Sequence, residues 1–142
     1  MCRQLRDKSV VNLDAAQLLK EKNYHYCSSI HCSYYSCFQA IKFILLSNFK
    51  INEQIFEARR ITSPSIKRGT HDLYIYDLYG KLQSENLGED AKNFKNSILA
   101  LQTLRVQSDY KPVKMDKSHS DHAYNLAIKI QKILKRIYKY EN

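Results

Sequence analysis

Between Leu87 and Tyr110 the apolar residues Leu87, Ala91, Phe94, Ile98 and Leu101 recur at spacings of three and four. That spacing is one stripe of an amphipathic helix. The next place on the stripe belongs to Arg105. A guanidinium keeps its proton in proteins and is costly to bury without partners. A fold built on this helix therefore sets a permanent cation at the edge of its core. That cation must meet an acid, a polar cluster, a partner chain or an anionic ligand. Asp109 follows on the same face, in the last turn, where a negative charge opposes the helix dipole. Acid after base is also the poorer order for such a pair. Two readings stay open. One is a buried Arg105–Asp109 pair, with Tyr110 adding a packed ring and a hydroxyl. The other is a guanidinium left partly free to hold a phosphate.

The rest of the chain repeats the helical spacing. With three Gly and two Pro in 142 residues, an all-α fold is expected, as one domain spanning residues 1–142 with a real core. A first helix is expected from Val10 to Lys22, with Val11, Ala15, Leu18 and Leu19 inward. A second is expected from Tyr24 to Asn48. Its main stripe is Cys27, Ile30, Tyr34, Cys37, Ile41 and Leu45, widened by Phe38, Phe43 and Ile44, so that its neighbours pack around it. Asn52–Arg60 reads as a short helix and Thr62-Ser63-Pro64-Ser65 as a loop. A third helix, Thr70–Leu82, has Thr70 as its cap and Ile75, Leu78, Tyr79 and Leu82 inward. The Arg105 helix comes fourth. A fifth is capped by Asp116 or Ser118 and runs to about Tyr140, with Ala123, Leu126, Ile130, Ile133 and Ile137 on its core side. The expected architecture is an antiparallel up-and-down bundle of four to five helices, centred on the second, fourth and fifth.

Charge narrows the range of partners. The formal net charge is +9 and the pI about 9.4, which suits an anionic partner such as RNA, a nucleotide or an acidic protein. Lys129, Lys132, Arg136 and Lys139 form a separate basic face on the fifth helix, either a solvated surface or a strip that tracks phosphates. The sequence has no Gly-rich phosphate loop, no Ser-His-Asp order and no paired catalytic carboxylates. Cys27, Cys32 and Cys37 step by five residues, which turns a helix by roughly 140° per step and keeps the thiols from converging on one metal. Cys27 with His31 is the best remaining metal pair, and it lacks a second pair of ligands. No metal and no cofactor is expected. Met1–Ser9 lacks the apolar core of a signal peptide and no stretch reads as a membrane span, so a cytoplasmic protein with reduced cysteines is expected.

Two short runs carry a family resemblance. Ser33-Tyr34-Tyr35-Ser36-Cys37-Phe38 resembles the small-Tyr-Tyr-small-x-Phe signature in the second helix of HEPN domains. Arg105-Val106-Gln107-Ser108-Asp109-Tyr110 resembles the Arg-x-x-Ala-Asp-Tyr signature of one HEPN branch, with Ser108 in place of Ala. His71 falls where that branch often opens its middle helix with a histidine. The resemblance covers roughly Leu13 to Tyr138 and implies a helical bundle, usually a homodimer. It implies either a non-catalytic module for an anionic ligand (RNA or a nucleotide) or for a nucleic-acid-processing protein, or a metal-independent ribonuclease of toxin–antitoxin type beside a nucleotidyltransferase partner. The site residues it implies are Arg105, Asp109, Tyr110, Tyr34, Tyr35 and His71. The resemblance implies that nuclease members also carry a His beyond the Arg, with about four to six residues between the two, just over one to two helical turns. Here positions 110–112 are Tyr, Lys and Pro. A phenol, titrating near pH ~10, does not move protons near neutrality as an imidazole does.

Overall fold

The computed structural model describes residues 2–22, 25–55, 58 and 69–140. These residues form five long helices: α1 (Cys2–Lys20), α2 (Tyr26–Asn48), α3 (Thr70–Ser84), α4 (Gly88–Tyr110) and α5 (Lys117–Tyr138). Among the described residues there is no strand. The architecture is an all-α bundle, as the spacing of apolar residues requires. Residues 53–55 are also helical, with Asn52 Oδ1 accepting from the Ile55 N–H at 2.9 Å. Tyr24, the remainder of the expected short helix apart from Ala58, and the expected loop at 62–65 lie outside the described residues.

Helix α2 packs against all four of the others, and α4 and α5 close the bundle around it. Its stripe of Ile30, Tyr34, Cys37, Ile41 and Leu45 is buried throughout, and so are Phe38 and Ile44. Cys27, on the expected stripe, is instead exposed, because it lies in the first turn of α2. Helix α3 contributes Ile75, Leu78, Leu82 and the unforeseen Tyr74, and Tyr79 is half-buried. Helix α4 buries Ala91, Phe94, Ile98 and Leu101, and α5 buries Ala123, Ala127, Ile130, Ile133 and Leu134. Fully burying one such side chain contributes about 1.5–3 kcal/mol, so this shared core supplies most of the favourable free energy.

The ends of the elements follow local chemistry. Asp116 caps α5: its Oδ1 accepts from the His119 N–H at 3.1 Å, and His119 returns a contact to the Asp116 backbone N–H. The His119 backbone N–H holds the Asp116 carboxyl below its usual range. Helix α5 stops at Tyr138 because Lys139 turns left-handed, with φ 52°. Helix α3 begins one residue earlier than a Thr70 cap would have it, with Gly69 as its extended cap and Thr70 already helical.

Helix α1 departs most from expectation. It starts at Cys2 instead of Val10, and its inward face is nearly opposite to the aliphatic one. Val11 is 65% and Leu18 67% exposed, whereas Ser9 and Ala16 are buried. The reason is a seam of hydroxyls. Ser9 Oγ donates to the Ser36 carbonyl at 2.7 Å, and Ser36 Oγ donates back to the Ser9 carbonyl at 2.9 Å. Ser29 Oγ donates to the Ala16 carbonyl at 2.7 Å. Gln131 of α5 donates to Ser9 Oγ and Ser36 Oγ, and Tyr140 donates to Gln131. A one-carbon side chain that bonds a neighbouring helix's carbonyl needs the two backbones close together. Hydrogen-bond satisfaction therefore sets the phase of α1 more than its aliphatic residues do.

Candidate functional site

Three helix ends meet around Arg105: the start of α2, the start of α3 and the last turns of α4. Ser108 ties the end of α4 to the start of α2, its Oγ donating to the Cys27 carbonyl at 3.4 Å. The Arg105 side chain is 11% exposed, so the stripe does carry its cation to the edge of the core. Its guanidinium carbon lies 4.7 Å from the Tyr34 ring, 5.8 Å from Tyr35 and 5.7 Å from Tyr110. A cation over aromatic faces gains electrostatic attraction while keeping its hydrogen-bond donors unspent. One donor is left over: Nε is buried and lacks a hydrogen-bond partner among the described residues.

Asp109 does not close this account. Its carboxylate is 3.7 Å from Arg105 Nη1, too long for a strong bond, and 3.1 Å from Nδ1 of His31. The expected buried Arg105–Asp109 pair is therefore a looser arrangement in which the acid leans toward α2. The His31 ring in turn lies 4.5 Å from that of Tyr35. Tyr110, expected to pack its ring, is 70% exposed, because it closes α4 at the mouth of the site.

His71 enters from the first turn of α3. Its Nδ1 is 2.8 Å from the Tyr34 hydroxyl, and its ring stacks on Phe38 at 4.0 Å. Burial, with Arg105 next, pushes the imidazole below its ordinary pKa, so it is neutral at physiological pH. Burial also pushes the Tyr34 phenol up, so it stays protonated. Asp72 accepts from Gln102 Nε2 at 2.9 Å. Tyr35, His71, Asp72, Gln102, Arg105 and Tyr110 line one cleft of about 360 Å³, within the range of small-ligand sites. Of the six residues singled out by the motifs, Tyr35, His71, Arg105 and Tyr110 line this cleft, and Tyr34 and Asp109 lie behind it against Arg105.

Sequence reading missed His31, Asp72, Gln102 and Phe38 as members of this site. Phe38 already closed the Ser33–Phe38 run, and the other three carried local signals. His31 precedes Tyr35 by one helical turn, Gln102 precedes Arg105 by three residues, and Asp72 adjoins His71. The basic residues of α5 lie elsewhere. Lys129, Lys132, Arg136 and Lys139 are all exposed, and the first three line a shallow groove of about 510 Å³ with Asp90, Asn93 and Asn125. Arg136 is partly spent there, its Nη2 donating to Asp90 at 2.6 Å. Cys27, Cys32 and Cys37 are free thiols and run from exposed to buried, as steps of five residues require. No described helix is long and apolar enough to cross a membrane. Comparison of the chain with protein families, with curated proteins and with solved structures gives no match.

Proposed function

We propose that the chain is a HEPN-like helical module whose Arg105 cleft binds a phosphate-bearing ligand, RNA or a nucleotide, without cleaving it. One observation carries the reading: a recessed guanidinium that faces aromatic rings, has a buried Nε with no partner among the described residues, and lines an open cleft. A buried cation left short of hydrogen bonds is costly unless a ligand completes its shell. The net charge of +9 favours an anionic one. Homodimerisation and a nucleotidyltransferase or other nucleic-acid-processing partner belong to the same proposal and rest on the family resemblance alone.

The test is direct. Arg105→Ala lowers affinity for a short single-stranded RNA by roughly ten-fold or more, the size of one lost charged hydrogen bond. Fluorescence anisotropy at two salt concentrations measures it. Unchanged affinity sinks the reading.

A metal-independent ribonuclease of toxin type is the second reading, and a single observation favours it. His71 reaches the cleft from α3, so an imidazole stands beside Arg105 although the end of α4 has none. RNA cleavage in the presence of a chelator, abolished by both Arg105→Ala and His71→Ala, selects this reading over the first.

A further inference from the structure

The cleft is not a simple anion hole. Arg105 lines it, and so does a carboxylate, Asp72. A site meant only for phosphate gains nothing from an acid in its wall, because like charges repel. Gln102 holds that acid in place through Oδ1. An ionised carboxylate has about four acceptor positions, and Gln102 takes one. The ligand that fits therefore carries both a negative group and hydrogen-bond donors. The rest of the lining includes three rings, Tyr35, His71 and the exposed Tyr110. Such rings stack planar heterocycles.

We infer that Asp72 is a base-reading residue and that the cleft selects a guanine nucleotide, with its phosphate at Arg105 and the N–H donors of the base at Asp72. Guanine presents two neighbouring donors on its Watson–Crick edge, the ring N–H and the 2-amino group, and a carboxylate accepts both. Adenine and cytosine present one amino group beside an acceptor, and uracil presents one N–H between two carbonyls. Either arrangement sets an acceptor against the carboxylate, and an unmatched polar pair of this kind is the main source of discrimination. The inference rests on the phosphate-binding reading and adds the identity of the base.

The experiment uses the full chain and five probes, the 5′-monophosphates of guanosine, inosine, adenosine, cytidine and uridine, titrated by calorimetry. The expected result is that GMP binds at least ten-fold tighter than AMP, CMP and UMP, with IMP between, since it lacks the 2-amino group. Asp72→Asn erases that ranking without abolishing binding. Its amide must turn its oxygen to Gln102 and its NH2 group into the cleft, so it offers a donor where the carboxylate offered acceptors. Asp72→Ser, which removes the charge with little bulk, gives the same loss of ranking and covers the case in which the amide variant folds poorly.

The two levels of the argument fail separately. Nucleotides that bind in an Arg105-dependent way but without a guanine preference, or with a preference that survives both Asp72 variants, overturn base reading and leave phosphate binding intact. Absence of binding by all five probes overturns both.

Discussion

His71 is the residue whose chemistry is most open to titration. Its native pKa lies below the ordinary value near ~6.5. On acidification the unfolded chain therefore takes up a proton at this position before the native protein does. The sign follows: the contribution of His71 to stability is fully present above the unfolded-state value and is lost as pH falls through the native one. Urea denaturation at pH 7.5 and pH 5.5 should show wild type losing more stability across that interval than His71→Gln. The same protonation adds positive charge beside Arg105. A phosphodiester ligand, which does not itself titrate in this range, should then bind more tightly at the lower pH, with the gain absent in His71→Gln.

At the level of elements, two faces of α1 invite opposite substitutions. Gln131 of α5 is buried and connects Ser9, Ser36 and Tyr140. Gln131→Ala leaves those hydroxyls without their central partner and should cost roughly 1–3 kcal/mol. Leu18→Ala removes an aliphatic that is 67% exposed and should stay within about 0.5 kcal/mol. Equilibrium denaturation of the two variants measures both.

The contrast also marks where sequence stops being legible. In α2 and α4 the aliphatic spacing and the burial agree, so Ile30, Tyr34, Ile98 and Leu101 were readable, and Arg105 stood out because it broke a clean pattern. In α1 Val11 and Leu18 point outward, and hydroxyls that only pair across helices carry much of the contact. Serine spacing announces no partner until the neighbouring carbonyl is in view. Asp72 went unread for the same reason, and His71 was placed only by the family resemblance: their distance from Arg105 is set by how α3 packs on α4, which no local pattern records.

Across the whole molecule the two candidate phosphate contacts, the basic groove on α5 and the Arg105 cleft, are separate. The groove beside Lys129 and Lys132 flanks the first turns of α4, at Asp90 and Asn93, whereas the cleft lies at Gln102 and beyond. A long single strand of RNA can use both, but a mononucleotide uses the cleft alone. Joint replacement of Lys129 and Lys132 by Ala should therefore flatten the log–log salt dependence of RNA binding by roughly one to two units. GMP affinity should be untouched. Equal losses for both ligands would place the groove's effect on the fold instead of on the strand.

The serine seam between α1 and α2 has a consequence for which residues can drift. Raising hydropathy at Ser9, Ser29 or Ser36 makes the chain greasier in an interior place, a change usually tolerated in a core. Here it drives a wedge between two backbones already within reach of a single hydroxyl. The room available at those three positions, more than their polarity, decides which amino acids can occupy them.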